Sequence, residues 1–245
     1  MTQATNIVIL GGGESGVGAA LLAQQQGAKV FVSDRGAIAE RYRAELEAAG
    51  IAYEMGQHTQ ARVLAADEVI KSPGIPERVP LVQKLLAQGT PVIGEIEYAA
   101  RFTDARLIGI TGSNGKTTTV YLTHHLLQAG GLDAALVGNV GVSFARTIAE
   151  GRQPEFFVIE LSSFQLDSIV AFRPHFAAIL NITPDHLDRY AHQMDSYIAS
   201  KLRITMNQQA DDHFWYLQED PNVASGRAKV SIRAIEHPLS TAAVD

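Results

Sequence analysis

The chain has 245 residues, of which 46% are hydrophobic and 19% are charged, so it can bury one large core or two smaller ones. A formal net charge of -6 without any basic run gives no electrostatic support to nucleic-acid binding. Cysteine is absent, which excludes disulfides, thiolate metal sites and cysteine nucleophiles. The first residues lack the pattern of a signal peptide, and no apolar run is long enough to span a membrane, so we expect a cytoplasmic protein.

The first half predicts strands and helices in alternation. A β-branched run at residues 7–10 predicts a strand, and glycines, a helical stretch and a second strand at residues 28–32 follow it. This order is typical of a βαβ unit and therefore of a parallel sheet. Farther along, residues 38–50 predict a helix, "DEVIKSPGIP" a strand and a turn, "LVQKLLAQG" a helix and "PVIG" a strand.

A glycine loop follows the first predicted strand. Gly11, Gly13 and Gly16 match the pattern G-x-G-x-x-G, and Asp34 ends the second strand. Glycines at these positions let the backbone approach a pyrophosphate at a helix N-terminus, and the acid can bind a ribose hydroxyl. The alternative is a tight turn without a ligand, in which Asp34 is a cap.

The pattern restarts after residues 95–106, which we interpret as a linker between a first domain at 1–94 and a second domain at 107–245. Within this linker "EIEYAARF" predicts a helix and "TDAR" a polar break. The second domain predicts strands at 107–110, 134–137, 156–161, 176–182 and 214–217, helices near 116–129, 141–150 and 195–207, and a final apolar run at 229–235. We expect an α/β fold of two Rossmann-like domains with parallel sheets, with ligands beyond the carboxyl ends of the strands.

A second glycine loop, "GITGSNGKTTT", follows the first strand of this second half. The usual phosphate-binding pattern is G-x-x-x-x-G-K-[ST], and Ile110 stands where its first glycine belongs. The loop still supplies backbone N–H groups for phosphate oxygens, the Lys116 cation and the Thr117 hydroxyl for magnesium. Its place between a strand and a helix favours a phosphate-binding loop over a polar helix start with a solvated lysine.

Polar residues also follow the other predicted strands. Glu160 ends the apolar strand "FFVIE", where a carboxylate can hold magnesium beside a phosphate loop. His186 follows "ILNIT" and is a candidate metal ligand or substrate contact. Asn139 in "VGNVG" offers an amide to a ligand. Taken singly, Glu160 is as well explained as a helix cap, His186 as a surface group and Lys201 in "SYIASKLRI" as a solvated lysine.

With these segments assembled, the chain resembles the Mur ligase family. The segments that carry the resemblance are "SPGIP", "ITGSNGKTTT", "GNVG", "ELSSFQLD", "LNITPDHLDRY" and "KLRI", which together span most of residues 7–206. "TGSNGKTT" is the family's own form of the phosphate loop. "ELSSFQLD" favours the members that add D-glutamate over their sister ligases.

The resemblance implies an ATP-dependent amide ligase of peptidoglycan precursor synthesis. ATP phosphorylates the carboxylate of UDP-N-acetylmuramoyl-L-alanine, and the amine of D-glutamate then attacks the acyl phosphate. Phosphorylation supplies the leaving group that a carboxylate lacks, so catalysis is positioning together with neutralisation of phosphate charge. The expected cofactors are ATP and Mg²⁺, and we expect a monomer without nucleic-acid or membrane partners.

The resemblance also assigns residues of the second domain. The ATP phosphates are expected to contact Gly112, Ser113, Asn114, Gly115, Lys116, Thr117 and Thr118. The catalytic residues are expected to be Lys116, Asn139, His186 and Lys201. One magnesium ion is expected at Thr117 and Glu160, and a second at His186 and Lys201, with the lysine carbamylated.

In the first domain, the resemblance implies that the glycine loop binds the diphosphate of a UDP-substrate and not a dinucleotide. The expected contacts of the UDP-substrate are Ser15, Asp34, Arg35, Ser72, Pro73, Gly74, Asn139 and His186. Arg35 departs from the threonine that the family often has there.

Family members continue well past residue 245, with the rest of the central domain and a third domain, so we expect a fragment with little ligase activity of its own. Three alternatives stay open. One is another Mur ligase or a folylpolyglutamate-synthase-like ligase, and another is a non-catalytic nucleotide-binding module. The last is an NAD-dependent dehydrogenase built on the first glycine loop, which leaves the second loop, Glu160 and Lys201 unexplained.

Overall fold

A computed structural model describes residues 4–242, which form two compact units. Unit 1 contains the described residues up to Thr103, together with Val142–Arg152 and Ser168–Val170. Unit 2 contains Asp104–Gly141, Gln153–Asp167 and the described residues from Ala171 onward. In the part of the chain that is described, no helix is long and apolar enough to cross a membrane.

Unit 1 is built on one five-stranded sheet. Its strands are β1 (Asn6–Leu10), β2 (Lys29–Asp34), β3 (Ala52–Met55), β4 (Glu68–Lys71) and β5 (Val92–Gly94). The helices between and after them are α1 (Glu14–Gln25), α2 (Glu40–Ala48), α3 (Gln60–Leu64), α4 (Pro80–Ala87) and α5 (Glu95–Ala100). The strand order is β3-β2-β1-β4-β5, and every pairing is parallel. The loops after β1 and β4 therefore leave the same edge of the sheet side by side.

The second half of the chain supplies a six-stranded sheet to unit 2. Its strands are β6 (Arg106–Thr111), β7 (Ala134–Gly138), β8 (Phe156–Glu160), β9 (Phe176–Ile179), β10 (His213–Leu217) and β11 (Ile235–Leu239). The α-helices are α6 (Lys116–Ala129), α7 (Phe144–Ala149), α8 (Ser163–Leu166), α9 (Met194–Leu202) and α10 (Pro221–Arg227), and α7 belongs to unit 1. Two 3-10 turns cover Leu187–Tyr190 and Arg203–Thr205. The order is β11-β10-β9-β6-β8-β7, again with parallel pairs only.

The central strands are buried on both faces, which explains their continuous apolar runs. In β1, four of five residues are buried, and β8 shows the same pattern from Phe156 to Glu160. The core of unit 1 lies between β1, β2, β4 and helices α3 and α4, with Val8, Leu10, Phe31, Val69 and Leu85 as members. The predicted α/β fold with two parallel sheets is confirmed.

Several elements differ from the sequence prediction. Strand β3 and helices α3 and α10 were not predicted, and the last strand is Ile235–Leu239 rather than the apolar run at 229–235. A local signal for α10 was available, because Asp220 accepts hydrogen bonds from the backbone of Asn222 and Val223 and Pro221 opens the helix. The predicted strand at 176–182 ends at Ile179, and the predicted helix at 195–207 ends at Leu202.

The linker predicted at 95–106 contains α5, which buries Ile96, Tyr98 and Ala99 within unit 1. Helix α7, which the sequence places inside the second domain, also lies in unit 1 and packs on α1. It can do so because Gly18 of α1 has no side chain, and a Cβ there would collide with the Ser143 hydroxyl. The assignment of one domain to the UDP-substrate and the other to ATP stays a prediction.

Candidate functional site

The second glycine loop lies at the carboxyl end of β6, in the middle of the sheet of unit 2. Ile110, which replaces the expected glycine, is a buried residue of β6 and packs against Val120 of α6 and Val158 of β8. The strand therefore continues through Thr111, and the turn begins one residue later. Gly115 has a φ of 82° and precedes the first residue of α6, a left-handed conformation that favours glycine.

Two lysine side chains meet at this loop. Lys116 Nζ donates hydrogen bonds to Gly112 O at 2.8 Å and to Ser113 O at 3.0 Å. Lys201 Nζ, from α9, donates to the same Gly112 O at 2.8 Å and is buried. Burial, together with the charge of Lys116, lowers the pKa of Lys201 to about 7. The loop therefore concentrates positive charge where phosphate oxygens would bind.

Two of the predicted residues, Thr117 and Asn139, converge on the Glu160 carboxylate. Thr117 Oγ1 donates to Glu160 Oε2 at 2.8 Å, and Asn139 Nδ2 donates to Glu160 Oε1 at 2.8 Å. The Asn139 backbone N–H also donates to Glu160 O at 2.9 Å. They meet because β8 lies between β6 and β7, with Glu160 in register with Ile110 on one side and Gly138 on the other.

This arrangement fits a magnesium ion held jointly with a nucleotide. The Thr117 hydroxyl and the Glu160 carboxylate are hard oxygen ligands, and Mg²⁺ is usually bound by one or two protein oxygens together with phosphates and water. Among residues 4–242, no group of three or more His, Cys, Asp or Glu side chains is placed to hold a metal ion. Thr117 and Glu160 thus offer two protein oxygens, and phosphates and water would have to complete the coordination of a magnesium ion.

His186 lies apart from this cluster in its described contacts. It has a φ of 49° at the start of the 3-10 turn Leu187–Tyr190, and its side chain is 58% exposed. Its Nε2 is 3.5 Å from the Asp185 carboxylate, and its ring centroid is 5.3 Å from that of Phe164. Lys201 donates a hydrogen bond instead of offering an oxygen ligand. The second magnesium pair, His186 and Lys201, stays a prediction.

Polar residues after β9 support the loop, and the sequence analysis missed them. Ser113 Oγ donates to Thr183 O at 2.9 Å, accepts from Thr183 N at 3.0 Å and contacts the Tyr197 hydroxyl at 3.0 Å. Asn114 N donates to Asn181 Oδ1, and Asn181 Nδ2 donates to Asn114 O. The signal was the polar segment "NIT" directly after an apolar strand that pairs with β6. Of the remaining loop residues, Thr118 is exposed on the first turn of α6.

The first glycine loop is held by Asp34 in unit 1. Gly12 N donates to Asp34 Oδ2 at 2.6 Å, and Gly36 N donates to Asp34 Oδ1 at 2.7 Å. A Cβ at Gly11 would lie 2.7 Å from Ser72 Cβ, so the loops after β1 and β4 touch. Asp34 therefore shapes the loop by accepting two backbone hydrogen bonds, and its contact with the UDP-substrate stays a prediction.

The other predicted contacts of the UDP-substrate lie around the same edge of the sheet of unit 1. Ser15 is in the first turn of α1, and Ser72 and Pro73 follow β4, all partly exposed. Arg35 and Gly74 are exposed. The structure thus brings Asp34 and Ser72 to the first glycine loop, whereas Asn139 and His186 belong to unit 2.

A polar network beside Asp34 was not predicted, because β3 itself was not. Ser33 Oγ donates to Glu54 Oε1 at 2.7 Å and lies 2.7 Å from His58 Nδ1. Glu54, at the carboxyl end of β3, also accepts hydrogen bonds from the backbone and hydroxyl of Thr59. Ser33 is fully buried, so this network fixes the strand ends around Asp34.

Two family profiles together match nearly the whole chain. The profile "Mur ligase MurD-like, N-terminal domain" matches residues 5–94, and the profile "Mur ligase middle domain" matches residues 110–243. A UDP-N-acetylmuramoylalanine–D-glutamate ligase of Bacteroides fragilis is 52% identical over 234 residues, which are 96% of this chain and 52% of that relative. A relative of the same name from Porphyromonas gingivalis is 54% identical over 219 residues, 89% of this chain and 48% of the relative. The chain spans about half the length of these curated relatives.

Solved structures show the same fold at low sequence identity. The UDP-N-acetylmuramate:L-alanyl-gamma-D-glutamyl-meso-diaminopimelate ligase of Neisseria meningitides matches with a TM-score of 0.66 at 20% identity, covering 96% of this chain and 78% of that one. The UDP-N-acetylmuramate-alanine ligase of Thermotoga maritima matches with a TM-score of 0.56 at 23% identity, covering 90% and 51%. At these identities the likeness concerns the fold alone.

Proposed function

Because the chain belongs to the Mur ligase family, we propose that it supplies the UDP-substrate site and the ATP site of a ligase that joins D-glutamate to UDP-N-acetylmuramoyl-L-alanine. The names of relatives that are 52% and 54% identical support this choice of substrates over those of a sister ligase. Because the chain spans about half of those relatives, the complete reaction and both of its substrates are part of the proposal.

One observation carries the proposal: Lys116, Thr117 and Glu160 meet at the glycine loop of unit 2. In the proposed reaction, the Lys116 ammonium neutralises charge on the transferring phosphoryl group. Its described partners are the neutral carbonyl oxygens of Gly112 and Ser113. A phosphate oxygen is a negatively charged acceptor and binds the ammonium more strongly than a neutral carbonyl does, so the side chain can exchange its partners when a nucleotide binds.

Thr117 and Glu160 would hold the magnesium ion, which supplies positive charge that offsets the phosphates. Asn139 orients this site, because its side-chain amide holds Glu160 Oε1 while Glu160 Oε2 receives the Thr117 hydroxyl. Fixing a ligand carboxylate from its other side is the common task of residues behind a metal site.

A second magnesium ion at His186 and a carbamylated Lys201 is the finer part of the proposal. Carbamylation requires a neutral amine, and the pKa of Lys201, lowered to about 7 by burial, makes that form available near neutral pH. The amine nitrogen would bond to the carbon of CO₂ and release one proton, which leaves a carbamate anion. This change converts a cation into an oxygen ligand, as the site would need.

The UDP diphosphate is proposed to bind the first glycine loop in unit 1. Asp34 shapes this loop through Gly12 N and Gly36 N, and the N-terminus of α1 directly follows. Backbone N–H groups at a helix N-terminus favour an anion. Glu14 in the first turn of α1 is paired with Arg146 at 2.8 Å, which reduces its repulsion of a diphosphate.

Calorimetric titration of this chain tests the proposal. We expect binding of UDP-N-acetylmuramoyl-L-alanine, and binding of a non-hydrolysable ATP analogue that requires Mg²⁺. Lys116→Met should weaken the nucleotide at least about tenfold and leave the UDP-substrate unchanged, since it removes a charge-assisted contact. Binding of NADH in place of the UDP-substrate would favour the dehydrogenase. ADP release that depends on D-glutamate, assayed with all substrates, tests the complete reaction.

We further propose a cytoplasmic monomer, because ATP and nucleotide sugars are cytoplasmic substrates. Analytical ultracentrifugation at micromolar concentration measures the oligomeric state directly. A dimer would contradict the proposed monomer and leave the proposed ligase function unaffected.

A further inference from the structure

The 3-10 turn Leu187–Tyr190, which begins directly after His186, has an unfavourable backbone conformation at both of its ends. His186 has a φ of 49°, and Ala191 and His192 have φ values of 53° and 59°. No other described non-glycine residue has a positive φ. This left-handed region is unfavourable for residues with a side chain, so contacts with neighbouring elements must hold the turn in place.

Tyr190, the last residue of the turn, supplies such contacts through its hydroxyl. This hydroxyl donates a hydrogen bond to Asp167 Oδ2 at 3.0 Å and lies 3.2 Å from Ser200 Oγ. Asp167 directly follows α8, and the buried Ser200 precedes Lys201 in α9. One hydroxyl group therefore joins the turn to the ends of two helices, α8 and α9.

The rings of Tyr190 and His186 pack against the same side chain of α8. The ring centroid of Phe164 lies 6.1 Å from that of Tyr190 and 5.3 Å from that of His186. The Tyr190 ring also contacts Tyr197 of α9, with 5.4 Å between the centroids. All of these residues belong to unit 2. Since the His186 side chain is 58% exposed, its position depends on the turn beneath it and on Phe164.

We propose that Tyr190 is a positioning residue for His186. By binding Asp167 and packing on Phe164, it holds the turn in its left-handed conformation and thereby fixes the place from which the imidazole reaches a ligand. This role rests on the function proposed above, in which His186 contacts the UDP-substrate. Tyr190 acts through the turn and through Phe164, and it needs no contact of its own with substrate, nucleotide or metal.

A double-substitution cycle, measured by calorimetric titration of UDP-N-acetylmuramoyl-L-alanine, tests this role. Tyr190→Phe keeps the ring and removes the hydroxyl, and it should weaken substrate binding about fivefold, as the loss of one hydrogen bond allows. His186→Ala removes the positioned side chain, and adding Tyr190→Phe to it should weaken binding no further. Additive effects of the two substitutions would show that Tyr190 acts independently of His186 and would overturn the proposal.

Substitutions of Asp167 test the same hydrogen bond from its acceptor side. Asp167→Ala removes the acceptor and should reproduce the loss of affinity seen in Tyr190→Phe, whereas Asp167→Asn keeps an oxygen acceptor and should restore most of the affinity. Should Tyr190→Phe fail to fold, Asp167→Ala takes its place in the cycle. Equal losses in the alanine and asparagine variants would contradict a role for this hydrogen bond.

Amide hydrogen exchange in the turn is a second readout, and it requires no ligand. His192 N donates to Leu187 O at 2.7 Å, and its exchange should become about fivefold faster in Tyr190→Phe. Tyr53→Phe is the matched control, because it removes another hydroxyl that donates to a carboxylate, Glu47 Oε1 at 2.6 Å in unit 1, and it should leave His192 unchanged.

Unchanged exchange of His192 in Tyr190→Phe, or equal acceleration in Tyr53→Phe, would overturn the proposal. If the unsubstituted protein binds no UDP-substrate, the proposed function fails, while the exchange of His192 still decides whether Tyr190 holds the turn.

Discussion

The side-chain amines of Lys116 and Lys201 donate hydrogen bonds to one carbonyl oxygen, that of Gly112, each at 2.8 Å. One lysine comes from the helix that follows the glycine loop and the other from α9, 85 residues later in the chain. Two ammonium groups so close repel each other, and only Lys201 is fully buried. The charged form of Lys201 is therefore destabilised by burial and by the charge of Lys116, and its pKa is lowered to about 7.

The first prediction concerns the pH dependence that Lys201 imposes on stability. Between pH about 7 and 10.5 the unfolded state binds a proton at this lysine that the folded state has released, so stability should rise with pH across this window. Below pH 7 the folded protein carries the full cost of the buried charge. Lys201→Met should therefore flatten the rise and stabilise the protein at pH 6, by on the order of 2 kcal/mol.

Urea denaturation at a series of pH values measures this effect. Lys116→Met is the comparison, since it removes the repelling neighbour and leaves the buried amine. It should raise the lower pH limit of the window and so narrow it, without abolishing it, because only the pKa of Lys201 in the folded state changes. A Lys201→Met variant as pH-dependent as the unsubstituted protein would contradict the assignment of the window to this lysine.

The second prediction concerns Glu95 and has the opposite sign. Its pKa is raised from 4.5 to about 7 by burial, so the folded state retains a proton that the unfolded state has lost between these values. The contribution of Glu95 to stability is thus greatest below pH 4.5 and is lost as the pH rises through about 7. Glu95→Gln should be more stable than the unsubstituted protein at pH 8, by on the order of a few kcal/mol.

Thermal unfolding at pH 5 and pH 8 is sufficient to measure the difference. The two proteins should be closer in stability at pH 5, where Glu95 is mostly protonated and resembles the amide. Glu95→Gln that is destabilised equally at both pH values would show that the carboxylate is not the titrating group.

The third prediction concerns the magnesium site. Glu160→Gln should raise the Mg²⁺ concentration required for binding of an ATP analogue at least about tenfold, because it removes the only negative charge among Glu160, Thr117 and Asn139. Glu155→Gln, an exposed residue just before the amino end of β8, is the control and should not change this requirement. Equal effects of the two substitutions would exclude Glu160 as a magnesium ligand.

The fourth prediction concerns packing of the first glycine loop. A Cβ at Gly16 would collide with the carbonyl oxygen of Gly11, which is backbone and cannot rotate away. Gly16→Ala should therefore destabilise the protein by about 1–3 kcal/mol, as overpacked sites do. Among the described residues, none lies within 4 Å of a Cβ at Gly13, where φ is -86°. Gly13→Ala should be nearly neutral by comparison, and equal melting temperatures of the two variants would refute the packing argument.

The candidate site was partly visible in the sequence because its residues follow strands. Lys116, Thr117 and Glu160 each stand at the end or just after an apolar run, and parallel strands bring such positions to one edge. Asn181 and Thr183 were missed because the strand was predicted to continue to residue 182, which hid the polar segment after Ile179. Tyr197 was missed because a helical residue that contacts a distant loop has no pattern of its own. For His186 the sequence predicted a role but not its surroundings. A position in a motif does not reveal which residues its side chain contacts.

The sequence by itself determined the alternation of strands and helices, the parallel sheets and the glycine loop between β6 and α6, because these follow from apolar periodicity and from glycines that are local along the chain. Tertiary structure alone decided that α5 and α7 join unit 1 and that β8 lies between β6 and β7. It also decided that Lys201 is buried beside Lys116. Sheet order and helix docking arise from contacts between residues far apart in the chain, and burial, which sets the charge state of Lys201 and Glu95, exists only once those contacts have formed.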